Sequence, residues 1–181
     1  MRKSILIIFL IFSFWLIIAA QEDSKTSNLK SGIELGSGFS YTGLNVNLAY
    51  TLAWGNNTAF LGPKITVSDS YIPTKGPWGI HAGYRRLLPG QSKFRSFASF
   101  DYQVVFLEPY NPNDLDVKGK NETHELFLSY GIQYQVWKNL ILGNSIGTGA
   151  YIERFIDTVT GDKKNYNGFN GQFRFFAQYS F

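Results

Sequence analysis

His81 and His124 are the only histidines in the chain, and it has no cysteine. Acid–base or soft-metal chemistry would have to run through those two rings or through carboxylates. Neither ring has a metal-binding spacing: His124-Glu125 is followed by Leu126-Phe127-Leu128, without the second histidine of an H-E-x-x-H helix. Gly36-Ser37-Gly38 and Gly147-Thr148-Gly149 carry two glycines of a phosphate-cradling loop and lack the third. The two N-x-[ST] matches, at Asn56 and Asn121, are read as chance. The expectation is no catalytic, cofactor-binding or metal residue. What remains is a set of charges and amides, Glu34, Lys64, His81, Arg85, Arg95, Asp101, Glu125, Gln133, Glu153 and Arg174, each on the opposite parity from an apolar series.

Those apolar series identify the elements that must position the charges. In LNVNLAYTLAW (44–54), Leu44, Val46, Leu48, Tyr50, Leu52 and Trp54 alternate with small or polar residues, the period of a strand with one apolar face. The same period gives eight strands at 31–41, 43–54, 58–68, 78–88, 94–107, 124–136, 140–154 and 169–181. Glycines on the polar parity make room for a neighbouring Phe60, Phe97, Phe127 or Phe176 to lie across the interior.

The first twenty residues are different. Arg2 and Lys3 precede an uncharged apolar run that ends on Ala19-Ala20, the pattern of an export signal, with the mature chain starting near Gln21. Removing Arg2 and Lys3 lowers the formal net charge from +4 to +2, so the basic balance does not imply a nucleic-acid partner. The expected layout is a signal peptide over 1–20, a short periplasmic segment over 21–30 and one β-domain over 31–181.

Which face points inward decides the function class. A soluble barrel turns its apolar face to the bore, and a membrane barrel turns it to lipid. The apolar face here holds most of the Tyr, Trp and Leu, more than an eight-stranded bore accepts. Aromatics gather at strand ends, with Trp54, Phe94, Trp137, Tyr179 and Phe181 at one rim and Tyr41, Trp78, Phe106 and Phe169 at the other. Connections alternate between tight (55–57, 89–93, 137–139) and long and polar (69–77, 108–123, 155–168), as short periplasmic turns alternate with surface loops. The fold class expected is therefore all-β, an eight-stranded antiparallel up-and-down transmembrane β-barrel. The aromatic last stretch, FRFFAQYSF (173–181), closes on the first strand and faces lipid.

On the terminal alternation ending in Phe181, on GIHAGYRRLL (79–88) and on LILGNSIGTGAYIERF (140–155), the chain resembles the small outer-membrane β-barrel family of the Gram-negative Bacteroidota. More loosely it resembles OmpA/OmpX-type barrels. The resemblance implies that the barrel-assembly machinery reads a terminal signal, carried here by Phe173, Tyr179 and Phe181. It also connects Asp157-Thr158-Val159 with an O-glycosylation motif of that phylum. Lipid A deacylases of similar size carry a His-x-Ser pair. Here His81 is followed by Ala82-Gly83 and His124 by Glu125-Leu126, which removes the hydroxyl that such a base activates.

The reading reached is an integral outer-membrane protein of structural or interaction type, either a surface-loop platform or a small subunit of a larger complex. The alternatives are a lipid-modifying enzyme and a narrow passive channel. Buried charges must be paired, so Arg174 is expected to meet Glu34 in the lumen, with Arg85, Arg95 and Asp101 nearby. Partners are outer-membrane lipid, the assembly machinery, and a protein contacting loops 108–123 and 155–168 through Tyr110, Tyr166 and Phe169.

Overall fold

The computed structural model describes residues 29–68, 74–90, 92–109, 119–157 and 162–181. The expected signal peptide and almost all of the 21–30 segment lie outside them, as does Tyr110. Eight strands run in chain order: β1 (Lys30–Ser40), β2 (Gly43–Trp54), β3 (Asn57–Ser68), β4 (Thr74–Leu87), β5 (Phe94–Pro109), β6 (Gly119–Trp137), β7 (Leu140–Asp157) and β8 (Lys163–Ser180). Each pairs antiparallel with the next, and β8 returns to β1 from Gly32↔Ser180 to Phe39↔Phe173, closing an all-antiparallel barrel. Closure satisfies the backbone of both terminal strands inside the wall, the condition for crossing a bilayer without an exposed edge. Beyond the last strand, the Phe181 amide still donates to the Ser31 carbonyl at 2.9 Å.

Tight turns at Gly55-Asn56 and Lys138-Asn139, with the short 88–93 connection, define one end of the barrel. Gly55 takes a φ of 54°, a left-handed conformation that a side chain would strain. The opposite end carries the Tyr41-Thr42 corner.

Burial is inverted relative to a soluble protein. Outward-facing Leu128 is 64 % exposed and Ile146 67 %, whereas Glu34, Lys64, Arg85, Asp101, Glu125 and Arg174 are all buried inside. The wall is thus a lipid-facing surface. Its aromatic ends pack as cross-strand pairs, Phe94 on Tyr134 with centroids 4.5 Å apart near the turn end, and Trp78 on Phe106 at 4.9 Å near the other. Rings at these two levels match the two interfaces of a bilayer.

Among the described residues four phenylalanines point inward, and each lies directly across from a glycine of a neighbouring strand: Phe60↔Gly83, Phe97↔Gly131, Phe127↔Gly149 and Phe176↔Gly143. A β-carbon at any of these glycines would run into the facing ring. The missing side chain is what lets the ring fold flat across the bore, which an eight-stranded barrel has just enough width to hold.

The last three strands exceed the lengths that alternation predicts. β6 begins five residues earlier than expected and β8 six, through pairs such as Thr123↔Glu153↔Tyr166. Beyond the lipid both faces of a hairpin meet water, so hydropathy stops alternating while backbone pairing continues. The expected loops 108–123 and 155–168 therefore shrink, and Tyr166 belongs to β8 rather than to a loop, on the same strand as Phe169.

Candidate functional site

The lumen is built in three layers. In the lowest, Glu34 from β1 takes a hydrogen bond from Arg85 Nη2 of β4 at 2.7 Å and another from Arg174 Nη2 of β8. Arg174 Nη1 reaches Asp101 Oδ1 of β5 at 3.2 Å, and the same oxygen lies 3.2 Å from His81 Nε2. Ser99 Oγ donates to the second Asp101 oxygen at 2.9 Å. Two carboxylates thus face two guanidiniums, so the layer is electrically closed. Phenylalanine rings cover it: the Arg85 guanidinium carbon sits 3.7 Å from the Phe176 centroid, and that of Arg174 sits 4.8 Å from Phe60. Cation–π contacts of this kind strengthen where water is excluded.

The middle layer centres on Lys64 of β3, which donates to Gln103 Oε1, to Thr42 Oγ1 at 3.2 Å and to Glu125 Oε2 at 3.3 Å. Ser40 and Thr42 hydroxyls also donate to Glu125 Oε2, at 3.1 and 3.2 Å, and Asn170 Nδ2 donates to Oε1 at 2.9 Å. At the outer mouth, Tyr41 stacks on Tyr151 with centroids 3.9 Å apart and planes 12° from parallel. Its hydroxyl donates to Glu153 Oε2 at 2.9 Å, and Asn121 Nδ2 donates to Oε1.

Of the residues singled out in the sequence, the structure brings together Glu34, Arg85, Asp101 and Arg174. Arg95 does not join them. It is the second residue of β5, at the turn end, and its Nη2 donates to Asn56 Oδ1 at 2.8 Å. Two inward positions, Phe97 and Ser99, separate it from Asp101, about 20 Å along the strand and too far for a shared partner. Tyr41 departs as well: it belongs to the lumen mouth and not to the outer aromatic belt, because the corner at 41–42 breaks the parity that β1 sets. Phe173, Tyr179 and Phe181 line the exterior near the closure seam, where Phe173 packs edge-on to Phe175 with centroids 4.7 Å apart. Tyr166 and Phe169 project from β8 towards the outer rim, with Phe169 90 % exposed.

Sequence reasoning had Lys64, Glu125 and Glu153 on the inward parity without placing them in a network. Their signal was that parity, together with an even balance of signs. The exterior also carries polar contacts, one of them built around His124. Tyr102 OH and His124 Nδ1 are 2.6 Å apart, and Glu122 Oε1 lies 2.8 Å from His124 Nε2, at ion-pair distance but without hydrogen-bond alignment. These side chains stand on the outward face next to the row of Trp78 and Phe106, at the level of an interface.

No protein-family model matches this chain, and no curated protein matches it significantly in sequence. Solved structures do match. The N-terminal β-barrel domain of OprF from Pseudomonas aeruginosa aligns with a TM-score of 0.58 at 12% identity, over 86% of this chain and 100% of that one. A major outer membrane protein from Thermus thermophilus aligns at 0.51 and 18%, over 85% and 100%. Neisserial surface protein A aligns at 0.50 and 11%, over 87% and 100%. At these identities the likeness is one of fold: the chain has the fold of small eight-stranded outer-membrane β-barrels.

Proposed function

We propose that this chain is an integral outer-membrane protein whose barrel is a non-conducting scaffold for contacts at its outer rim. A protein partner, or a larger outer-membrane complex beside which this chain sits as a small subunit, would meet that rim. The supporting observation is the filled lumen. Phe60, Phe97, Phe127 and Phe176 together with the closed Glu34–Arg85–Arg174–Asp101 cluster brace the bore from several strands, while the wall is given to lipid. The outer rim is the surface left to specialise. Residues 1–20 serve export, and Phe173, Tyr179 and Phe181 serve recognition by the assembly machinery.

Replacing 110–118 and 158–161 by short Gly-Ser turns is expected to leave the barrel assembled and to reduce partner recovery in a pull-down from native membranes. Wild-type recovery by both variants, and by a Tyr166→Ser, Phe169→Ser variant of the strand-borne part of the rim, would move the contact to the lipid-facing wall. In planar bilayers the purified protein is expected to give no stepwise conductance. A second reading, lipid modification, draws on the Tyr102–His124–Glu122 group at the interface. It predicts that the purified protein releases acyl chains from lipid A and that His124→Ala stops the release. The scaffold reading predicts none from either protein.

A further inference from the structure

Glu153 is the carboxylate that the lumenal ion pairs leave over. Glu34 and Asp101 face Arg85 and Arg174, and Glu125 faces Lys64. Glu153 is 8 % exposed and has no cationic partner among the described residues. Its contacts are with neutral groups, the Tyr41 hydroxyl and the Asn121 amide nitrogen. Two more oxygens at the same place are unmatched: Asn121 Oδ1 and Thr123 Oγ1 have no hydrogen-bond partner among the described residues, on residues 5 % and 0 % exposed. Thr123 is the direct cross-strand partner of Glu153, and Asn121 stands two residues before it on the same inward face. All three point the same way, the opposite pair about 5 Å apart at the β-carbons and the diagonal pair about 7–8 Å, within reach of the longer Glu153 and Asn121 side chains.

An unpaired buried carboxylate and two unsatisfied buried oxygens each carry a desolvation cost. One cation would relieve the carboxylate and the Thr123 hydroxyl, and the Asn121 amide can supply a third oxygen. Half a turn of the Asn121 amide exchanges its nitrogen and oxygen and brings Oδ1 to the carboxylate. The donors are then a carboxylate, an amide oxygen and a hydroxyl, with no nitrogen or sulfur, the set that suits a hard cation with flexible coordination. We infer that Glu153, Thr123 and Asn121, with the Tyr41 hydroxyl at the edge, form a Ca²⁺ site at the outer mouth of the lumen. One carboxylate gives weak binding, with a dissociation constant of about 0.1–1 mM. Binding joins β6 and β7 to the β1–β2 corner through Tyr41. The inference goes beyond the scaffold reading and does not depend on any protein partner.

Tb³⁺, a luminescent stand-in for Ca²⁺, tests it directly, because Tyr41 and Tyr151 are stacked beside the site and sensitise a bound lanthanide on tyrosine excitation. The full chain, folded in detergent micelles free of divalent cations, is titrated with Tb³⁺ and then with Ca²⁺. The expected result is saturable emission that Ca²⁺ competes away, weakened at least tenfold in Glu153→Gln and several-fold in Thr123→Val, with both variants showing the gel mobility of a folded barrel. Emission that does not saturate, or that has wild-type affinity in Glu153→Gln, overturns the assignment. Should Glu153→Gln not fold, wild-type affinity in Thr123→Val overturns it alone.

Discussion

Replacing Glu34 by Gln removes one charge from a closed set of four and tests whether the lumen is dry. Glu34 is fully buried and holds both Arg85 and Arg174. At an effective dielectric constant of ~20, two unit charges about 3 Å apart attract by about 5 kcal/mol. Two such attractions are lost, and the variant regains the several kcal/mol that desolvating the carboxylate costs. The net expectation is a loss of about 3–5 kcal/mol in unfolding free energy, as for other buried pairs broken on one side. The assay is urea unfolding from phospholipid vesicles, followed by tryptophan fluorescence and by gel mobility.

A double-mutant cycle with Arg85→Met sharpens the test. Arg85 and Glu34 are direct partners, while Arg174 and Asp101 keep each other at 3.2 Å and stay neutral together in the double variant. The double variant is therefore expected to lose at least about 2 kcal/mol less than the sum of the two singles. In a water-filled bore the same charges would be screened, each single variant would cost about 1 kcal/mol or less, and the coupling would vanish. That outcome would refute both the dry lumen and the non-conducting scaffold built on it.

Three other expectations follow from the wall and the bore. Gly143→Ala places a methyl against the Phe176 ring that covers Arg85 and is expected to cost about 1–3 kcal/mol, whereas Gly90→Ala, in open space, is expected to be near neutral; equal urea midpoints would contradict the notch. Ile146→Arg puts a cation on the lipid face between the two aromatic levels, at a cost of about 2–4 kcal/mol, while Phe169→Arg at the outer rim costs about 0–1 kcal/mol; similar unfolding free energies would misplace the membrane. Phe181→Ala is expected to reduce insertion in cells while leaving spontaneous refolding into vesicles intact, as the proposed recognition role requires; a parallel loss in both assays would make it a packing residue.

Much of the fold was legible because a strand's period of two is a local property. The pleat sends successive side chains to opposite faces, so the alternation of Leu44, Val46, Leu48 and Tyr50 with Asn45, Asn47 and Ala49 states both that a strand exists and which residues share a side. The excess of Leu, Tyr and Trp on one parity then implied lipid outside, and the glycines on the other parity implied rings across the bore. The ends of β6, β7 and β8 were not legible. Above the membrane neither face is apolar, and the backbone pairs without leaving a pattern in the side chains. Tyr41 was misplaced for a related reason, since parity does not survive a corner.

The membership of the lumenal clusters was settled only in three dimensions. Alternation put Glu34, Arg85, Arg95, Asp101, Glu125, Glu153 and Arg174 all inside, but said nothing about height along the bore. Height depends on strand tilt and on the stagger between neighbours, which closure of eight strands sets for the barrel as a whole. That stagger brings Arg85 across the bore to Glu34, leaves Arg95 at the turn end with Asn56, and sets Thr123 opposite Glu153 with Asn121 on the rung beyond. Sequence determined which side chains leave the lipid, because that depends on each residue and its immediate neighbours. Tertiary structure decided which of them touch, because a charge inside a closed barrel meets partners from strands that are distant in sequence and close only after the sheet has curled onto itself.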